Sequence, residues 1–98
     1  MIIRIVKMHF KEDKIDDFLN HFNLHKATIR NFKGNMFLEL YQDKDNASTF
    51  FTYSFWQSDE DLLSYRNSEF FKEVWQKTKI YFSEKPSAWS VKKIVSLP

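Results

Sequence analysis

The chain has no cysteine, a single glycine, two prolines and no apolar run approaching the ~20 residues of a membrane-spanning helix. Without cysteine there is no disulfide, no thiol nucleophile and no cysteine-based zinc or iron–sulfur site, and the composition fits a reducing cytoplasm. One glycine, Gly34, excludes a phosphate-cradling glycine-rich loop and a dinucleotide fingerprint. The segment from Met1 to Phe10 is interrupted by Arg4 and Lys7 and is too short for a signal peptide. A soluble cytoplasmic protein with no membrane partner is therefore expected. Charge of one sign is also scarce: the net charge is +2, with lysine and glutamate mixed along the chain. The nearest approach to a basic stripe is Lys77, Lys79, Lys85, Lys92 and Lys93, which reads as a solvated face rather than a nucleic-acid surface.

Aromatic side chains are abundant, with eleven Phe, four Tyr and three Trp in 98 residues. At ~150–250 Å² of buried surface each, they exceed what one small domain readily hides. The 98 residues read as a single domain, residues 1–98, near the lower size limit for a core without staples.

Hydrophobic periodicity predicts the elements. Ile2 to Phe10 is a strand with Ile2, Arg4, Val6, Met8 and Phe10 on one face and Ile3 and Ile5 on the other. Asp13 is the expected N-cap of a helix carrying Ile15, Phe18, Leu19, Phe22 and Ile29 at helical spacing, ending near Phe32, with Gly34 at a C-terminal position that needs positive φ. Asn35 to Gln42 alternates Met36, Leu38 and Leu40 against Phe37, Glu39 and Tyr41. Asp43 to Asn46 is a polar turn leading into a strand from Thr49 to Trp56. Ser58 caps a short helix bearing Leu62, Leu63 and Tyr65. Ser68 opens another whose apolar face is Phe71, Val74, Trp75, Thr78 and Phe82. Pro86 precedes a last strand, Ala88 to Val95. The order βαββαβ is the ferredoxin-like split arrangement, an α+β fold on an antiparallel sheet. Two helices cover only one face of such a sheet, yet Phe51, Tyr53 and Phe55 oppose Phe50 and Trp56. The second aromatic face is expected to pack on a second copy of the chain.

Trp56 shares strand parity with Thr52 and Ser54, which makes either a ligand wall with two hydroxyls or ordinary core. Trp75 sits at helical spacing with Phe71 and Val74, and Tyr65 directs its hydroxyl into the same space or caps the surface. Arg4, among apolar neighbours, needs an acidic side chain or an anionic ligand as partner. His21 and His25 are four residues apart without a third ligand in any recognisable motif, so no metal site is expected and His25 should pack beside Phe22 and Ile29. His9 reads as a base or as a solvated sheet-edge residue, and Glu39 as one half of a cross-strand ion pair. The third strand, Ser48 to Tyr53, has neither the glycine nor the basic residue of an RNA-recognition domain, which shares the βαββαβ order.

The segment Phe55-Trp56-Gln57-Ser58 with its acids, then Tyr65, Asn67-Ser68-Glu69 and Phe71-Lys72-Glu73, resembles the antibiotic biosynthesis monooxygenase family and its haem-degrading relatives; Phe32-Lys33-Gly34 fits as well. The resemblance implies a dimeric α+β barrel of two ferredoxin-like subunits, each with a pocket between sheet and helices. It also implies cofactor-independent oxidation of polycyclic phenols or quinols by dioxygen, the substrate carbanion supplying the electrons. Trp56 is the residue that matches the family's site, and Trp56, Trp75, Tyr65 and Arg4 together are the expected ligand-binding residues. Trp75 stands where haem-degrading relatives carry their histidine ligand, and the first strand has no asparagine, so haem degradation is not expected. The function indicated is a cofactor-independent monooxygenase acting on a small aromatic or quinone-like molecule; the alternative is a non-catalytic ligand-binding or dimerisation module of the same fold.

Overall fold

The computed structural model describes residues 1–98. Four strands, β1 (Ile2–Phe10), β2 (Asn35–Gln42), β3 (Thr49–Trp56) and β4 (Phe82–Val91), form one antiparallel sheet in the order β2-β3-β1-β4. Three helices complete the ferredoxin-like βαββαβ arrangement: α1 (Ile15–Arg30), α2 (Asp59–Arg66) and α3 (Glu69–Ile80). No helix is long and apolar enough to cross a membrane.

The caps show why the two short helices start where they do. Ser58 Oγ accepts a hydrogen bond from the Asp61 amide (3.1 Å), and Ser68 Oγ accepts one from the Phe71 amide (3.1 Å). Each satisfies a donor that the first helical turn leaves free. Asp59, Glu60 and Asp61 add negative charge at the positive end of α2. The expected cap of α1 is different. Asp13 lies inside a 3-10 turn, Glu12–Lys14, and Lys14 holds the N-cap position with no side-chain hydrogen bond.

The β1–β4 ladder shifts register twice, between Lys7 and His9 and between His9 and Phe10, and the β2–β3 ladder shifts once. Between Lys7↔Ser87 and His9↔Glu84, β4 advances by one residue more than β1, and Pro86 falls in that irregularity. Proline has no ladder donor, and an edge strand at a bulge tolerates it. The strand therefore does not wait for Ala88: it begins at Phe82, which leaves the helix to pair with Phe10, and it ends at Val91 rather than Val95. The shift on β2 lies between Asn35 and Phe37 and turns Met36 out to 50% exposure, away from the face it was expected to share with Leu38 and Leu40. Asn35 Oδ1 accepts from the Phe37 amide (3.0 Å) and spans the bulge.

The helix-covered face holds two separate clusters. Met8, Phe10, Phe18 and Phe50 pack at one end, with Phe10 and Phe18 stacked at 4.0 Å between centroids. Ile29, Trp56, Leu62 and Tyr65 pack at the other. The opposite face carries Phe37 stacked on Phe55 (4.6 Å), Tyr53 edge-on to Phe55 (5.2 Å) and Tyr41 beside Tyr53 (6.2 Å). Ile5 pairs with both Tyr53 and Trp89, which extends this apolar surface across the sheet to β4. Tyr41 and Trp89 are each 47% exposed. No helix covers that face, on which Phe37, Tyr53 and Phe55 are half-buried.

Candidate functional site

Between the two clusters the helices stand off the sheet and leave a cavity of about 360 Å³. Its floor is built by strand alternation: Arg4, Val6 and Met8 from β1, and Thr52, Ser54 and Trp56 from β3, all point to the helix side. Its roof is built by helical spacing, with Leu62, Tyr65 and Arg66 from α2 and Phe71, Val74, Trp75 and Thr78 from α3. Pro86, Ser87 and Ala88 close the β4 side, at the bulge. The volume sits near the lower end of the ~300–1,000 Å³ typical of ligand pockets, and the lining is largely hydrophobic with a few polar groups.

Trp56 is 1% exposed, and its Nε1–H donates to Ser54 Oγ at 3.1 Å. Strand neighbours two apart share a face, so this bond fixes the indole along its own strand. Tyr65 stacks on the indole at 4.9 Å and 30°. The stack continues through Phe71, edge-on to Tyr65 at 5.0 Å, to Trp75, nearly parallel to Phe71 at 5.9 Å. One aromatic wall thus runs from β3 over α2 to α3. Burial drives the Tyr65 phenol well above its ordinary range, so it stays protonated and serves only as a hydroxyl.

All four residues singled out from the sequence, Arg4, Trp56, Tyr65 and Trp75, line this one cavity. Arg66 was missed. It lies four residues after Leu62, which faces inward, and that helical interval was the available signal. Arg4 finds no acidic partner: its Nη1–H donates to Ser90 Oγ at 3.0 Å. Its pKa is lowered, first by burial and then by the charge of Arg66.

The other candidates lie elsewhere. His21 is buried, and its Nε2–H donates to the Val74 carbonyl at 3.0 Å, which ties α1 to α3. His25 packs edge-on to His21 (4.9 Å) and Phe70 (5.7 Å). Burial first, then the charges of His21 and Lys77, lower its pKa. No third metal-ligating side chain joins the two. His9 is held between Thr49 Oγ1 (2.9 Å) and Glu84 (3.2 Å) and is neither free nor merely solvated. Glu39 accepts from the Tyr41 hydroxyl on its own strand instead of forming an ion pair across the ladder. The cavity itself has no histidine, cysteine or carboxylate in its lining.

No curated protein matches the sequence. Solved structures match it closely in shape. An antibiotic biosynthesis monooxygenase structure superposes with TM-score 0.90 at 15% identity, over 97% of this chain and 100% of the other. A putative antibiotic biosynthesis monooxygenase from Nitrosomonas europaea gives 0.88 at 17% identity, over 97% and 100%. A variant of SnoaB, a cofactor-independent oxygenase from Streptomyces nogalater, gives 0.88 at 10% identity, over 99% and 96%. At these identities the likeness establishes the fold. The sequence profile of the antibiotic biosynthesis monooxygenases matches residues 1–77, the stretch that runs from β1 almost to the end of α3, and the chain belongs to that family.

Proposed function

We propose that residues 1–98 act as one homodimeric, cytoplasmic domain that binds a small aromatic or quinone-like molecule between sheet and helices and oxygenates it without a cofactor. The carrying observation is the preformed, largely apolar cavity walled by Trp56, Tyr65, Phe71 and Trp75. A flat, electron-rich ring system fits such a wall by stacking. In the reaction, a ring CH2 carbon loses a proton, the carbanion passes electrons to dioxygen, and the carbon peroxide that forms takes up that proton. Loss of the second C–H proton then breaks the O–O bond, so one oxygen atom stays as a ring carbonyl and the other leaves with both protons as water. The lining supports that chemistry in two ways. Its apolar walls keep bulk water from the carbanion, and the hydroxyls of Thr52, Ser54 and Tyr65 supply hydrogen-bond contacts to ring oxygens. The lining has no carboxylate or imidazole to act as base, so the acidity of the substrate itself carries the first step. Family membership and the SnoaB fold likeness support the oxygenase reading.

The helix-free aromatic face, with Tyr41 exposed and Phe37, Tyr53 and Phe55 half-buried, supports the dimer, because two such faces bury each other.

Oxygen uptake with a panel of quinols and anthrones tests the activity, with Trp56→Phe and Trp56→Ala compared after circular dichroism shows each variant folded. Turnover by the wild type that falls in the variants is the expected result. No turnover of any panel member, with aromatic ligands still quenching tryptophan fluorescence, would leave the non-catalytic binding module as the function.

A further inference from the structure

Arg4 and Arg66 are the only charged residues in the cavity lining. Neither takes part in any of the protein's ion pairs. Arg4 uses one N–H on the Ser90 hydroxyl, out of the five donors that a guanidinium carries. On its own strand face it stands between Ile2 and Val6, and across the ladder it meets Ser54 and Ser90. Nothing there offers a negative charge. Burial lowers the Arg4 pKa, and the like charge of Arg66 lowers it further. Two guanidiniums share one end of the cavity without a counter-ion.

Their position narrows what the counter-ion is. Arg66 closes α2 and is exposed, while Arg4 is half-buried, so the pair stands where the cavity meets solvent. The aromatic wall of Trp56 and Tyr65 lies inside it. A guanidinium presents a planar fork that matches the two oxygens of a carboxylate. A half-buried charge among apolar neighbours gains from a partner that brings the opposite charge with it.

We infer that the ligand of this cavity is an aromatic carboxylate, its rings against Trp56, Tyr65 and Trp75 and its carboxylate held by Arg4 and Arg66. The inference rests on the reading of the cavity as an aromatic-ligand site and adds the charge and polarity of the molecule that enters it. In an oxygenase the same anchor sets which end of the substrate reaches the inner wall and which stays at the mouth.

The test is a matched set of titrations followed by tryptophan fluorescence: naphthoate, its neutral isostere naphthamide, and naphthalenesulfonate. Each is measured on the wild type, Arg4→Gln, Arg66→Gln and the double variant. The wild type should bind naphthoate about tenfold more tightly than naphthamide, as expected for charge-assisted hydrogen bonds at a partly solvated site. That preference should shrink in each single variant and vanish in the double variant, while naphthamide affinity stays within about twofold. The wild-type preference should also fall as salt rises, a measurement that needs no variant to fold. Equal binding of naphthoate and naphthamide overturns the carboxylate inference and leaves the aromatic-site reading standing. Tighter binding of the sulfonate than of naphthoate overturns the choice of carboxylate. Binding of none of the three overturns the inference together with the aromatic-site reading. Charge preference without oxygen uptake from any quinol overturns the oxygenase reading alone.

Discussion

Gly34 is where the framework around the site is least tolerant of change. Its φ is +87°, and a Cβ built there would sit 2.4 Å from Asp61 Cβ and 2.5 Å from both Asp61 Cγ and Oδ2. Two independent penalties therefore act on Gly34→Ala. The left-handed backbone costs an L-residue roughly 1–2 kcal/mol. Forcing a methyl group into a packed position adds about 1–3 kcal/mol, because Asp61 cannot yield through its Cβ without moving α2. A central total of about 3.5 kcal/mol corresponds to a fall in melting temperature of roughly 14–28 °C for a domain of this size. The loss also reaches the site. The Gly34 carbonyl accepts from the Gln57 amide (2.8 Å), at the turn from β3 into α2, and α2 carries Leu62, Tyr65 and Arg66 to the cavity. Thermal and urea unfolding of the two proteins, monitored by circular dichroism, measure the effect. A melting temperature within about 2 °C of wild type would refute both the close approach to Asp61 and the strain at Gly34.

Other consequences can be checked by the same methods. Ser54→Ala leaves the Trp56 Nε1–H without its acceptor in a buried position and should lower stability by about 1–3 kcal/mol; in a Trp56→Phe background, which has no such donor, the same change should be nearly neutral by urea unfolding. Ser68→Ala removes the cap of α3 and should destabilise by about 1 kcal/mol, read from the urea midpoint. The Tyr65 phenol has a raised pKa in the folded state, so its contribution is fully present below the ordinary value of 10.0 and is lost as pH rises above it. Tyr65→Phe should therefore flatten the alkaline fall in stability, and an unchanged slope would contradict the burial of that hydroxyl. Tyr53→Glu places a charge beside Glu39 in the middle of the exposed aromatic face; sedimentation equilibrium should show a wild-type dimer and a largely monomeric variant.

Much of the site was legible in the sequence because its walls follow the two elementary periodicities. Strand alternation put Arg4 and Trp56 on the helix-covered face, and helical spacing put Tyr65 and Trp75 over them. The caps at Ser58 and Ser68 were legible because they are local chemistry, a hydroxyl and an amide three residues on. What stayed hidden depends on non-local pairing. The bulge around Pro86 arises only because β4 must follow β1 along the sheet edge, so the start of β4 and its contribution of Ser87 to the cavity had no local signal. The bulge at Met36 likewise interrupts an alternation that looks regular in the chain. The gap between the two core clusters depends on how far α1 and α3 stand from the sheet, which no residue pattern encodes directly.

The three tryptophans supply the most direct test of the central claim, that the space between sheet and helices is a binding site for an aromatic molecule. Trp56 and Trp75 line the cavity, and Trp89 pairs with Ile5 on the opposite face of the sheet. In a heteronuclear NMR titration with naphthamide, the indole N–H signals of Trp56 and Trp75 should shift together along one binding curve while that of Trp89 stays still. Signals from Trp56 and Trp75 that do not move, or a response confined to Trp89, would contradict the account.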